Sequence, residues 1–109
     1  MNNPVYCLLI PHFNHAQQFL DFYPKLQASD LPVVIVDDGS DQENREKIEA
    51  LSAEQDNVHF FFHAQNRGKG AAVKTGFICA RQLGFSHVIQ IDADGQHSVS
   101  LIDNYLLEI

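Results

Sequence analysis

Short unbroken apolar runs alternate along this chain with longer stretches of helical periodicity. Val5–Ile10 is apolar throughout, and Pro11-His12-Phe13-Asn14 follows it, which predicts a buried strand that Pro11 ends. His15–Gln27 sets Phe19, Leu20, Tyr23 and Leu26 at i, i+3/i+4 spacing. That predicts a helix capped by Asn14, with Pro24 kinking or dividing it. Leu31–Val36 is β-branched and uninterrupted, the composition of a central strand. Ser40 and Glu43 then make a capping-box pattern for a helix running to about Glu54. Val58–Phe62 reads as a third strand. Gly70–Leu83 reads as a third helix, with Val73, Phe77, Ala80 and Leu83 on one face and Gly84 as its stop. His87–Ile91 reads as a fourth strand, and Ser98 or Ser100 is placed to cap a last helix through Leu107.

Strands alternating with helices predict right-handed βαβ crossovers. The expected fold is α/β and Rossmann-like: a mainly parallel sheet with helices on both faces, built from four βα units within one domain, 1–109. In such a sheet ligands bind beyond the carboxyl ends of the strands, near a reversal of strand order. The loops after the four predicted strands are Pro11–Asn14, Asp37–Ser40, Asn66–Gly70 and Asp92–Asp94, and the fold would bring all of them to one rim.

Asp92 and Asp94 stand two residues apart directly after a β-type run, so both can face one small volume. Like charges repel there unless a cation joins them. Hard oxygen ligands suit Mg²⁺ or Mn²⁺, and Gln96 can add a carbonyl oxygen, with His97 as an outer donor. In Asp37-Asp38-Gly39-Ser40, Gly39 and Ser40 make an ordinary strand-ending turn. A turn has no need of the second carboxylate, and Asp38 can accept from the N–H of a nucleobase. Asn66-Arg67-Gly68-Lys69-Gly70 allows close backbone approach at a helix N-terminus with basic residues near phosphate. It lacks the Walker A spacing, and no dinucleotide fingerprint follows the first strand. Among the remaining histidines only His12 is a site candidate, by position.

The net charge of −7 argues against nucleic-acid and anionic-membrane binding by the domain as a whole. Cys7 and Cys79 lie in apolar runs and read as reduced, buried thiols of a cytoplasmic protein. The apolar run at Val5–Ile10 is far too short to span a bilayer.

Together the four loops resemble those of the family 2 glycosyltransferases, which have a nucleotide-diphosphosugar (GT-A) fold. The likeness is carried by Ile10-Pro11-His12-Phe13-Asn14, Val36-Asp37-Asp38-Gly39-Ser40, Asn66–Ala72 with Gly76, and Asp92-Ala93-Asp94-Gly95-Gln96-His97. The last motif looks like the branch containing dolichyl- and polyprenyl-phosphate sugar synthases. The resemblance implies that Pro11, Asn14, Asp37, Asp38, Arg67, Gly68, Lys69, Gly70 and Asp92 surround the donor nucleotide, with Asp38 reading its base. It implies that Asp92, Asp94 and Gln96 hold Mg²⁺ or Mn²⁺. The implied reaction is metal-dependent, inverting transfer from a UDP- or GDP-sugar to the hydroxyl of an acceptor, which in this branch is lipid-linked.

There are departures: His15 stands where the family often has Glu, and Ser98-Val99 where proline is common. Family members also continue well beyond this length, and their second half carries the acceptor contacts and the general base. No catalytic residue is therefore assigned within 1–109. The chain is expected to be a donor-binding half that binds donor weakly and turns over little. An open sheet edge would suit homo-oligomerisation, and a later region would hold the protein at the inner face of a membrane. The alternative is a non-catalytic nucleotide-binding or assembly module. A sugar nucleotidyltransferase would need a glycine-rich first loop, and a phospho-receiver would need acids after its first strand. This chain has neither.

Overall fold

The computed structural model describes residues 4–92 and 106–108. Its elements run β1 (Tyr6–His12), α1 (Ala16–Gln27), β2 (Val33–Asp37), α2 (Gln42–Glu54), β3 (Val58–Phe62), α3 (Lys69–Gln82), β4 (His87–Gln90) and β5 (Leu106–Glu108). They form one sheet in the order β3-β2-β1-β4-β5. The first four strands are mutually parallel, and β5 runs antiparallel to β4. The chain winds outward from β1 through β2 to β3, then crosses back to place β4 on the other side of β1. The reversal of strand order therefore falls between β1 and β4.

Side-chain alternation along the central strands divides the core into two layers. Leu8, Ile10, Val33 and Ile35 face α1 and α2, packing with Phe19, Tyr23, Leu26 and Ile48. Cys7, Leu9, Val34, Val36 and Val88 face α3, packing with Ala72 and Ala80. With helices on both faces, the inner strands are buried on each side, which explains their unbroken apolar runs. Gly76 lets α3 lie close on β1, since a Cβ there would meet the side chain of Leu9.

Several boundaries differ from expectation for identifiable reasons. Pro11 does not end β1: the strand continues to His12, and Pro11 pairs with Val36. N–H groups of Leu8 and its even-numbered neighbours point toward β2, as Leu8 does to the Pro32 carbonyl, so the missing donor of Pro11 faces β4. Pairing with β4 has already stopped at Leu9–Gln90, and no ladder bond is lost. Pro24 does not divide α1, which is one helix of 12 residues. Asn14 does not cap it either. His15 is the N-cap and provides no side-chain bond, and the orphan Ala16 N–H donates instead to Oδ1 of Asn44 on α2, at 3.0 Å. Ser40 is displaced from capping α2 by Asp41, whose carboxylate accepts from the Asn44 N–H. At the end of α3, Gly84 takes φ +98°. The Phe85 N–H then reaches the Ala80 carbonyl and the Gly84 N–H that of Arg81, a Schellman closure.

The predicted last helix through Leu107 is corrected: Leu106–Glu108 is a strand, with Leu107 opposite Val88. The flank of β4 turned away from β1 presents unpaired backbone donors and acceptors. Satisfying them outweighs a capping signal. Ser98 and Ser100 lie outside the described residues. The thiols are free as expected, but only Cys7 is buried; Cys79 is half-buried. Burial pushes the Cys7 thiol up to about 12, so it stays protonated and inert.

The link between α1 and α2 yields a direct test. Replacing Asn44 with Ala removes the acceptor that serves Ala16 and is expected to cost about 1 kcal/mol. Urea unfolding followed by circular dichroism would show a lower midpoint with an unchanged slope.

Candidate functional site

The carboxyl ends of β1, β2 and β4 and the start of α3 enclose a cleft of about 330 Å³. Pro11, His12, Phe13 and His15 form the wall from β1 and its loop. Asp38 contributes from the end of β2, and Asn66, Gly68, Lys69 and Ala72 from the β3–α3 loop and α3. Asp92 closes the β4 side. This is the position at which open parallel sheets take ligands, outside the strand ends where the order reverses.

Period-two alternation at the end of β2 sends its two aspartates to opposite faces. Asp37, fully buried, turns toward α1 and α2. Its carboxylate accepts from His12 Nδ1 at 2.7 Å, from the Ser40 N–H at 3.0 Å and from the Ser40 hydroxyl. The His15 N–H donates to His12 Nε2 at 3.1 Å, so that nitrogen carries a lone pair and the ring proton sits on Nδ1. Burial works against the charge on Asp37. The hydrogen bonds from His12 and Ser40 outweigh it and hold the carboxyl below its ordinary value.

Asp38, 3% exposed, turns toward α3. It accepts from His63 Nδ1 at 2.8 Å, from the Arg67 N–H at 2.9 Å and from the Gly68 N–H at 2.7 Å. The other nitrogen of His63 lies 2.8 Å from Thr75 Oγ1 on α3. An ionised carboxylate has about four acceptor positions, so roughly one remains for a ligand. Asp38 thus shapes the β3–α3 loop while presenting one edge to the cleft. Asn66 adds to this clasp by donating its side-chain N–H to the Asp38 carbonyl at 3.2 Å. Gly39, at φ +80°, lies against the same loop, and any Cβ there would fall on the backbone of Gln65 and Asn66.

Of the residues expected around a nucleotide, the cleft gathers Pro11, Asp38, Gly68, Lys69 and Asp92. Asn14 is not among its lining residues. Held at φ +52°, it joins the β1 and β2 loops, its N–H donating to Ser40 Oγ at 2.8 Å and its Oδ1 accepting from the Asp41 N–H at 2.9 Å. Asp37 lies behind His12 rather than on the surface. Arg67 contributes its backbone to the loop while its side chain is exposed, and Gly70 lies within α3. Among the expected metal ligands, Asp92 is at the cleft, whereas Asp94 and Gln96, like His97, lie outside the described residues. No cluster of three metal-ligating side chains occurs among the described residues.

Sequence reasoning passed over four residues. Phe13 and His15 line the cleft, with Phe13 41% exposed. His63 is buried on Asp38, and Thr75 supports it. The signal for Phe13 was available: a large aromatic in a loop between a strand and a helix start has no core to enter. His63 gave no such signal, because its partner is 25 residues away.

The cleft at the strand-order reversal, with a buried carboxylate, a glycine-containing helix start and an acidic strand end, belongs to an α/β domain of the open parallel-sheet class. Residues 7–107 match the model of Glycosyl transferase family 2, and the chain belongs to that family. It is 32% identical over 104 residues to the UDP-N-acetylglucosamine–dolichyl-phosphate N-acetylglucosaminyltransferase of Methanococcus voltae, covering 84% of this chain and 41% of that protein. It is 35% identical over 65 residues to the dolichyl-phosphate beta-glucosyltransferase of Dictyostelium discoideum, covering 58% of this chain and 19% of that protein. The mannosyltransferase PcManGT from Pyrobaculum calidifontis, solved in complex with GDP-Man and Mn²⁺, shares the fold. Its TM-score is 0.69 over 85% of this chain and 28% of that one, at 20% identity. The chain therefore spans well under half the length of these proteins.

Two tests follow from the β2 terminus. Because the folded-state pKa of Asp37 is lowered, its contribution to stability is present above the ordinary carboxylate range near about pH 4 and is lost as pH falls through the lower, folded value. Urea unfolding between pH 7 and pH 3 should show a stability deficit for Asp37→Asn at neutral pH that narrows as the solution is acidified. Gly39→Ala is expected to cost about 2 kcal/mol or more through its left-handed backbone and the crowded loop, again measured by urea unfolding.

Proposed function

We propose that this chain is the donor-binding portion of a family 2 glycosyltransferase that passes a sugar from a nucleoside-diphosphate sugar to a lipid-linked acceptor. The observation that carries the reading is the convergence of Asp38, the Gly68–Lys69 helix start and Asp92 on one cleft at the strand-order reversal. The base end of a nucleotide fits between Phe13 and the free edge of Asp38, where an aromatic face and an acceptor meet a ring and its N–H. The diphosphate then falls toward Lys69 and the N-terminus of α3, whose first turn holds no acidic side chain to repel it.

Divalent-cation chemistry fits the donor set. Asp92 offers a hard carboxylate oxygen at the cleft, and it already faces a cation there in the Lys69 ammonium, 2.6 Å away. Asp92, Asp94 and Gln96 would hold Mg²⁺ or Mn²⁺. Such an ion supplies positive charge to offset the negative charge that grows on a departing diphosphate. The protein's own groups hold the nucleotide, orient the diphosphate and bring a second positive charge through Lys69.

The dolichyl-phosphate relatives point to a lipid phosphate as the acceptor. A phosphate monoester is already largely ionised near pH 7, its second pKa being about 6, so its oxygen can attack without the strong general base that a hydroxyl requires. No helix among the described residues is long and apolar enough to cross a membrane.

Calorimetric titration of UDP and GDP, with and without Mn²⁺, tests the reading. Cation-dependent binding that is lost in Asp94→Ala supports the transferase reading. Binding indifferent to the cation would favour the non-catalytic nucleotide-binding or assembly module instead. Phe13→Ala is expected to weaken nucleotide binding by about 1–3 kcal/mol whichever sugar is attached.

A further inference from the structure

Lys69 is the first residue of α3, and its ammonium lies 2.6 Å from Asp92 Oδ1 across the mouth of the cleft. The pair joins the β3–α3 side of the cleft to the β4 side. It is only partly shielded, the Lys69 side chain being 60% and that of Asp92 25% exposed. An exposed ion pair of this kind is held weakly. A lysine charge also rides on a flexible four-carbon stem, so it can change partners without moving the backbone.

We propose that Lys69 is an internal stand-in for the divalent cation. It neutralises Asp92 until a diphosphate enters, then transfers to the diphosphate and leaves the carboxylate to the incoming ion. The proposal rests on the reading of Asp92 as a metal ligand. Two cations at contact distance from the same carboxylate oxygen repel each other, so lysine and metal exclude one another there. A diphosphate offers the ammonium more negative charge than one carboxylate does. It arrives where the N-terminus of α3 also favours an anion, beside Gly68, which makes no side-chain cap. Cation and nucleotide thus bind cooperatively, each lowering the cost of the other by the same factor. The cation alone meets an occupied carboxylate.

The 109-residue chain and its Lys69→Met, Lys69→Arg and Asp92→Asn variants would be titrated with Mn²⁺ alone, followed by the paramagnetic resonance signal of the free ion. A nucleoside diphosphate alone, and then both together, would be followed by calorimetry. Lys69→Met is expected to bind Mn²⁺ about threefold or more tightly than wild type, since its competitor is gone. It should bind the nucleotide more weakly and show less cooperativity between the two. Lys69→Arg should retain the wild-type pattern. A merely structural lysine would shift both affinities in the same direction. That result, or unchanged Mn²⁺ affinity in Lys69→Met, overturns the proposal. Asp92→Asn separates the two levels. If it loses Mn²⁺ binding while Lys69→Met gains none, only the lysine exchange fails. If Asp92→Asn binds Mn²⁺ as wild type does, Asp92 is not a ligand, and both the metal-site reading and the exchange fall.

Discussion

The two adjacent carboxylates at the end of β2 govern the functional edge of this domain. A strand exposes successive side chains to opposite faces, so a single dipeptide reaches both helical layers at once. Asp37 secures the first loop through His12 and the second through Ser40. Asp38 secures the third loop through His63 and two backbone N–H groups. Each carboxylate is buried, and each is satisfied by several donors, the condition under which a buried charge organises its surroundings instead of disrupting them. Three loops distant in sequence are thereby set against one another before any ligand arrives.

Electrostatics at this edge are graded. Deep in the fold, Asp37 is compensated by a histidine and a serine and takes no part in the cleft surface. Asp38 is intermediate: most of its capacity is spent on the protein, and what remains faces the cleft. Asp92 is the most accessible of the three, and the exposed ammonium of Lys69 lies against it. Burial therefore falls from Asp37 through Asp38 to Asp92, toward the mouth of the cleft.

Much of this was legible in the sequence. The unbroken apolar runs identified the strands because strands covered on both faces need no polar side. Helical spacing identified α1 and α3, and the position of loops after strands placed Pro11, Asp38, Gly68, Lys69 and Asp92 on one rim. What was not legible came from contacts between distant segments. Ser40 carries a local capping signal, yet its hydroxyl is used by Asp37 and Asn14, and Asp41 caps α2. Asn14 looked like a helix cap and proved to be a tie between loops. Leu106–Glu108 became a strand because β4 had an edge to complete, a demand invisible in the local pattern. Local chemistry marked which residue types stand at the strand ends, while tertiary pairing decided which groups each would serve.

Pro11 has a quieter consequence. Its ring nitrogen points at the gap between β1 and β4 and has no hydrogen to give, just where a continuing ladder would draw the two strands together. Pro11 can donate no bond to that ladder. Pro11 therefore faces the cleft with no backbone hydrogen to spend across that gap.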